Sequence, residues 1–412
     1  MKLLHISNHY PPYSTGPVER QCRLIVNELA HRGHFNRVLT SHLRTPGVPD
    51  RERFALRKLY LAPATHPPFT RLLRNERHNL AALRSALDEL PADAVIVWSM
   101  TGLSNSLLWE LYRQRRQVVY IVFDSWPRNR LKNDPWFAWW TAALPSRERL
   151  IRRLLRTTLL ARPLLERFPV QPPNSIPLRD ACFASRALRE SIRSAGYAID
   201  GSEIIPYCIG RDEIPATPHR RDEIRRLLWV GSLDMENDPM TAIQAIQELR
   251  HGGSMQFSLD IFGRGDVAFE SRLHDYVRAA QLAGVVTIRH ARVEDMTSLY
   301  PTYDAFLFTA RTPEAFPVVL LRAMSARLPI VTTVEGSCAD LIRNGENALV
   351  FRTGDPVDCA EKILELVAHP ERIDPMTERA YRQVLDNHAA TIVAGRIERL
   401  VQRVLDRLRQ AS

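Results

Sequence analysis

AFLFTARTPEAFPVVLLRAMSARLPIVTT, residues 305–333, contains one complete repeat of the fold's basic unit. AFLFTA (305–310) is an apolar run of strand length, a loop carrying Arg311 and Glu314 follows, a helix opens at Pro317, and PIVTT (329–333) begins the next strand. Proline suits a first helical turn, where its missing N–H deprives no intrahelical partner. Strand, crossover helix and strand in this order predict a parallel βαβ unit.

The same alternation extends outward in both directions. LLWVG (227–231), SLDIFG (258–263), VVTIRH (285–290) and ALVF (348–351) complete one series. KLLHIS (2–7), RVLTS (37–41), AVIVW (94–98), VVYIVF (118–123) and ACFAS (181–185) form another. The helix after KLLHIS carries Val18, Cys22, Ile25 and Leu29 on one stripe, and Gly33 stops it. The fold class is therefore α/β: two doubly wound, Rossmann-like domains, with ligands expected in a cleft at the C-terminal ends of both sheets. The expected boundaries are a first domain over 1–205, a linker over 206–225, a second domain over 226–385 and a C-terminal helical segment over 386–412. That segment ends in RIERLVQRVLDRLRQ, with Ile397, Leu400, Val401, Val404 and Leu408 on one packing stripe. A length of 412 residues suits two domains of roughly 150–200 residues.

Hydrophobic residues at 45% and charged residues at 25% exclude a disordered chain and a membrane-dominated one. The net charge of +10 is unevenly placed. Residues 1–200 hold 31 Lys+Arg against 16 Asp+Glu, a net of +15, while residues 201–412 hold 25 against 30, a net of −5. A basic half points to an anionic membrane surface, a phosphorylated substrate or nucleic acid, with arginine-biased composition as the plainer reading. Nucleic acid is set aside because the arginines are interleaved with glutamates and no recognition helix or zinc motif is evident. Cys22, Cys182, Cys208, Cys338 and Cys359 lie far apart without metal-like spacing, so no metal is expected and a reducing compartment is. The N-terminal apolar stretch is too short for a signal peptide and no window has ~18 apolar residues. The expected location is cytoplasmic, with peripheral attachment to the inner face of a membrane as a further expectation.

Three places can carry chemistry. Gly16, between the first strand and first helix, lets backbone approach a phosphate, although one glycine fits a simple turn equally well. In 305–333 the amides of Val318 and Val319 are expected at a helix N-terminus beside Glu314, a pairing suited to a ligand with both phosphate and hydroxyls. Glu314 also fits an ordinary capping carboxylate. The third is aromatic: Trp98, Trp109, Trp126, Trp136, Trp139 and Trp140 crowd into 98–140, and DSWPRNRLKNDPWFAWW mixes rings with Arg128, Arg130 and Lys132. Such a mixture suits stacking on sugars or resting at a lipid interface. RERLIRRLLRTTLLARPLLERF (147–168) follows, read either as a basic amphipathic stretch for anionic membranes or as a leucine-packed helix with solvated arginines.

PPYSTG before the first helix, LAHRGH closing it, ASRALRESIRSAGY, WVGSL, IFGRGD, EAFPVVLLRAM, LPIVTT and NGENALVF occur in an order and spacing that resemble the family-four (group 1) glycosyltransferases of the GT-B fold over nearly the whole chain. The resemblance implies a retaining transferase, with a nucleotide-sugar donor on the second domain, an acceptor on the first, and a last helix crossing back to the first domain. It implies that Glu314 bonds the donor sugar and that Phe316, Pro317, Val318 and Val319 bring backbone to the diphosphate. Gly16, Arg264, Val293, Arg311 and Arg322 complete the donor-side candidates; Asp124 and Trp126 are the acceptor-side ones. No cofactor beyond the nucleotide-sugar co-substrate is implied.

The sequence departs from the family pattern at the donor side. The second motif glutamate, eight residues after Glu314, is Arg322, and the two cations expected after the first strand of the second domain correspond to Ser232 and Asn237. The paired glycines of the first loop appear as Gly16-Pro17, and a histidine before the acidic residue of the first domain corresponds to Phe123. Arg264, Arg292, Arg311 and Arg322 are the cations available to compensate. The function expected is sugar transfer to a saccharide or lipid-linked acceptor in surface polysaccharide or glycoconjugate synthesis. The alternative is a catalytically degenerate protein of the same architecture that binds or scaffolds.

Overall fold

The computed structural model describes residues 1–13, 16–62, 67–129, 134–157, 161–215, 223–290, 296–312 and 316–411. Glu314, Val293, Arg292, Arg130 and Lys132 lie outside the described residues. The chain divides into two compact units, Met1–Ile205 together with the residues from Val393 onward, and Pro206–Ile392.

The first unit is built on β1 (Lys2–Ser7), β2 (Phe35–Ser41), β3 (Ala55–Leu59), β4 (Ala94–Ser99), β5 (Val118–Val122), β6 (Ala181–Phe183) and β7 (Glu203–Ile204). All pair in parallel in the order β3-β2-β1-β4-β5-β6-β7. Leu4 lies opposite Arg37 on one side and Val95 on the other. The central strands are buried along their length, as strands covered on both faces must be. Chain order reverses between β1 and β4, and this switch point opens the carboxyl edge of the sheet for a ligand.

Around this sheet run α1 (Pro17–His31), α2 (Phe69–Glu89), α3 (Ser106–Arg113), α4 (Pro135–Thr141), α5 (Ser146–Thr157), α6 (Ala161–Arg167) and α7 (Arg186–Ser194). The stripe of α1 read from the sequence is buried, with Val18, Cys22, Ile25 and Leu29 inward. Gly33, at φ +86°, supplies the left-handed residue that turns the chain into β2.

The second unit holds β8 (Arg226–Val230), β9 (Ser258–Phe262), β10 (Val286–Arg289), β11 (Ala305–Phe308), β12 (Ile330–Thr332) and β13 (Leu349–Val350), parallel in the order β10-β9-β8-β11-β12-β13. Its helices are α8 (Pro239–His251), α9 (Val267–Ala279), the single turn α10 (Met296–Leu299), α11 (Val318–Ser325), α12 (Pro356–Ala368) and α13 (Ile373–Asn387). Trp229, Ile243, Ile246, Leu259, Ile261, Phe269 and Ile363 close one core between sheet and helices. The switch point here lies between β8 and β11. The last helix, α14 (Ala390–Ala411), buries Ile397, Leu400, Val401 and Val404. It is tied to the first unit by Glu398, which accepts from Arg32 at 2.9 Å and bonds His34 at 2.8 Å, and by the Arg403–Glu203 and Arg407–Asp180 pairs.

Two strands were not legible as apolar runs. β3 (ALRKL) carries an arginine and a lysine because it is an edge strand, and β7 is two residues long.

The tryptophan cluster corrects the aromatic reading. Trp98, Trp126, Trp136, Trp139 and Trp140 are all at most 3% exposed, so none presents a stacking platform or a lipid-facing ring. Asp134 caps α4 by accepting from Phe137 N at 3.0 Å, turning the WFAWW face inward. Trp136 donates to Phe168 O (2.9 Å), Trp139 donates to Glu148 Oε2 (3.1 Å), and Phe69 packs 4.6 Å from Trp139. Aromatic rings with a buried polar partner for the indole N–H make a stable core.

α5 departs from the leucine-packed reading. Its inward side is polar: Glu148 is buried, Arg152 donates to Trp139 O and Ala142 O at 2.9 and 2.8 Å, and Arg156 donates to Trp140 O at 2.9 Å. These guanidinium groups satisfy carbonyls at the end of α4 that have no helical partner. Leu150 and Leu154, one turn apart, are left 58% and 55% exposed.

Candidate functional site

In the second unit, three loops meet at the carboxyl edge of the sheet around the switch point. The β8 and β9 loops are knitted by Leu233 N to Arg264 O (2.8 Å) and Gly231 N to Phe262 O (3.1 Å). This approach demands glycine: a Cβ on Gly263 would sit 2.1 Å from Gly231 O, and one on Gly265 would sit 2.0 Å from Leu233 O. Between these glycines Arg264 projects an exposed side chain with no hydrogen bond or ion pair among the described residues.

The β8 and β11 loops are joined by a buried hydroxyl. Thr309 Oγ1 receives Trp229 Nε1–H at 3.0 Å and lies 3.0 and 2.6 Å from the carbonyls of Asn237 and Asp238. Asp238, held at φ +48°, caps α8 through Thr241 N (3.2 Å) and accepts from Arg311 Nε at 2.7 Å. Arg311 is thus anchored by Nε while its side chain stays half-exposed, and its two Nη groups have no partner among the described residues. Asn237 folds onto its own loop, donating to Asp234 Oδ1 at 2.8 Å from both backbone and side chain.

Arg322 is turned away from such a role. On α11, with 9% side-chain exposure, it donates through Nε (2.8 Å) and Nη2 (2.5 Å) to Glu213 Oε2. Glu213 lies in the short turn Arg211–Glu213. At the start of α11, Pro317 is the N-cap and Val318 the first helical residue. Val318 N donates to Phe316 O at 3.0 Å, so of the two valine amides only that of Val319 is without an acceptor among the described residues. Phe316 is buried, stacked 5.4 Å from Tyr207 and 5.6 Å from His388, whose Nδ1 lies 2.9 Å from Tyr207 O.

In the first unit, Gly16 is the N-cap of α1, and a Cβ there would lie 2.0 Å from Glu19 Oε2. The helix N-terminus expected to attract a ligand anion therefore has the chain's own carboxylate folded over it. Asp124 follows β5. Burial pushes its carboxyl up to about 6; the Trp126 N–H, donating at 3.2 Å, opposes that shift, and the negative charge of Glu19 adds to it. His9, after β1, is held below its ordinary value by burial, with Glu19 acting in the opposite direction. Glu19 thus acts electrostatically on both His9 and Asp124. The ring of Trp126 is buried, and it is its backbone amide that orients Asp124. Phe123 joins the core, edge-on to Trp98 at 5.8 Å.

Sequence reasoning did not single out His9, Glu19, Glu213, Asp238 or Thr309. The Asp238-Pro239 pair before a helix is a readable cap-and-first-turn signature, and Glu19 stands three residues after the Gly16 cap. Among the described residues no cluster of three or more His, Cys, Asp or Glu is placed to hold a metal ion, and no helix is long and apolar enough to cross a membrane. All five cysteines are buried and none is in a disulfide.

Two doubly wound parallel sheets, with a last helix tied to the first unit, define a protein of the GT-B fold. Residues 224–369 match the family described as glycosyl transferases group 1. Spore coat protein SA of Bacillus subtilis (strain 168) is 26% identical over 170 residues, covering 39% of this chain and 44% of that protein. The capsular polysaccharide biosynthesis glycosyltransferase CapM of Staphylococcus aureus is 27% identical over 124 residues, covering 30% and 32% respectively. The aligned region spans about a third to a half of the length of the curated relatives it matches. The crystal structure of Anabaena Alr3699/HepE in complex with UDP-glucose superposes with a TM-score of 0.66 at 16% identity, covering 98% of this chain and 100% of that one.

Proposed function

We propose that this protein is a retaining glycosyltransferase that moves a sugar from a nucleotide-sugar donor to a saccharide or lipid-linked acceptor during synthesis of a surface polysaccharide or glycoconjugate. The observation that carries this reading is the carboxyl edge of the second unit, inside the family-matched 224–369. There Arg264 is unpaired among the described residues, Arg311 keeps two free Nη groups, and Val319 N–H stands at a helix start. Such donors stabilise the charge that develops on a leaving diphosphate. Glu314 is assigned to the donor sugar, with Phe316, Pro317 and Val293 as further donor-side residues. Asp124 is assigned to an acceptor hydroxyl, positioned by Trp126. The names of the capsule relative and of the UDP-glucose-bound neighbour support the pathway class and the donor class.

In this reading the protein works at the cytoplasmic face of a membrane. The support is α5, where Leu150 and Leu154 stand exposed on a helix of five arginines and one glutamate.

A second reading is a degenerate protein that binds or scaffolds without transfer. It is favoured by one observation: Arg322, which stands where the family carries a carboxylate, is engaged by Glu213. Calorimetry with UDP-, GDP-, ADP- and TDP-sugars separates the two. Binding of one donor, with turnover abolished in Glu314→Ala, establishes the enzyme; folded protein that binds none establishes the scaffold for common donors.

A further inference from the structure

A cavity of about 520 Å³ opens on the first unit between α2 and the end of α6. Its lining is dominated by charge: Arg77, Arg84 and Asp88 from α2, and Arg167 beside Phe168. The three guanidinium groups are not equivalent. Arg84 is held by Glu110, donating at 2.8 Å, and Glu110 also accepts from Arg113 and Gln114. Arg77 and Arg167 make no hydrogen bond or ion pair among the described residues.

Arg167 is the informative member. Burial holds its guanidinium below the ordinary value, and Arg84 and Arg113 push in the same direction against Glu110. A partly buried cation facing two further cations is unfavourable in isolation, and evolution tolerates such an arrangement where an anion completes it. A volume of this size exceeds a bare phosphate and matches a small phosphorylated ligand. Ala81 and Ser85 also line a second cavity of about 440 Å³, shared with Tyr60 and His78, whose rings stack 4.0 Å apart. Ala81 and Ser85, small side chains common to both linings, set the anionic end of a ligand beside an aromatic surface.

We propose that Arg77, Arg84 and Arg167 form a binding site for a phosphate group carried by a saccharide or a lipid headgroup. This site is separate from the donor and acceptor residues assigned above and does not depend on the transferase reading. Guanidinium groups suit it because they bond phosphate oxygens in pairs.

The test uses the full chain, with Arg77→Ala/Arg167→Ala as the pocket variant. Arg71→Ala/Arg74→Ala is the control, since it removes the same charge from exposed positions of the same helix. Glucose 6-phosphate is titrated at low salt by calorimetry, and phosphatidylglycerol and phosphatidylcholine vesicles are tested by co-sedimentation. Calorimetric binding that weakens at least about tenfold in the pocket variant and is kept in the control supports the site with a sugar phosphate as source. Binding to phosphatidylglycerol vesicles alone, lost in the pocket variant and kept in the control, supports it with a headgroup as source. Absence of binding by wild-type protein to either probe, retention in the pocket variant, or equal loss in both variants overturns it.

Discussion

Arg322 and Glu213, 109 residues apart in sequence, share one carboxylate oxygen at 2.8 and 2.5 Å in a nearly dry setting, with side-chain exposures of 9% and 17%. The pair fastens the turn at 211–213 to α11, and Ser325 Oγ adds a weaker bond to Glu213 O at 3.4 Å. A guanidinium so engaged is a structural staple, which leaves Arg264 and Arg311, of the described donor-side arginines, free to meet a phosphate.

Glu213→Ala should destabilise the protein by about 3 kcal/mol, because it strands a buried cation. Arg322→Met/Glu213→Met should recover much of that loss, since hydrophobic replacement of both partners removes the desolvation cost. Melting temperatures of the single and double variants measure the coupling. A Glu213→Ala variant that melts with wild type would show that the pair contributes nothing.

Nucleotide affinity should follow a different set of residues. Arg264→Ala and Arg311→Ala should each weaken binding of a nucleoside diphosphate about tenfold or more, the worth of one charge-assisted hydrogen bond. Asp238→Asn should weaken it less, by loosening the Arg311 Nε anchor at 2.7 Å. Calorimetric dissociation constants across the three variants, each checked for an unchanged melting temperature, test this ranking.

The parts legible in the sequence were those whose physics is local. AVIVW and VVYIVF stand out because a strand covered on both faces has no polar side to interrupt the run, and Val18, Cys22, Ile25 and Leu29 declare a helix by spacing alone. β3 was missed because an edge strand admits charge. The tryptophan run was misread because composition is the same for a core cluster and a surface platform; the Asp134 cap and the partner at Glu148 decide between them, and both contacts depend on folding. Arg322 looked available because nothing near it in sequence is its partner. Asp124 showed itself as acidic but not as half-buried, since burial is a property of the surrounding sheet edge.

Two buried groups should give stability an unusual response to pH. His5, on β1, receives Trp98 Nε1–H on Nδ1 at 3.1 Å, with Nε2 3.0 Å from Asn36 Oδ1; burial pushes it down to about 4, against the weaker pull of Asn36. The unfolded chain binds a proton near 6.5 that the folded chain refuses, so stability falls as pH drops from about 6.5 to about 4. Glu76, bonded by Ser104 Oγ at 2.6 Å and by Ser106 Oγ, is pushed up to about 7 by burial, with the two serines opposing and Asp134 adding to the rise. Here the folded chain keeps a proton that the unfolded chain releases near 4.5, so stability falls as pH rises from about 4.5 to about 7. Glu76→Gln removes the second loss, and its stability relative to wild type should improve by up to about 3 kcal/mol between pH 4.5 and 7.5. Urea unfolding across that range measures the difference, and a constant offset between the two proteins would contradict the assignment of Glu76.

Asp124 offers the most direct link between burial and turnover. Its carboxyl, raised to about 6 chiefly by burial and oriented by the Trp126 amide at 3.2 Å, can draw a proton from an acceptor hydroxyl through a charge-assisted hydrogen bond only when ionised. Activity of the wild-type protein, plotted as kcat/KM, should therefore decline as pH falls through about 6. Asp124→Asn should lower kcat/KM about a hundredfold and flatten that limb, because the amide cannot titrate. Glu19→Gln supplies the complementary arm: its carboxylate raises Asp124, so removing that charge should move the limb to lower pH while leaving the plateau intact. A limb that stays in place in both variants would assign the titration to another group and leave Asp124 with no part in acceptor binding.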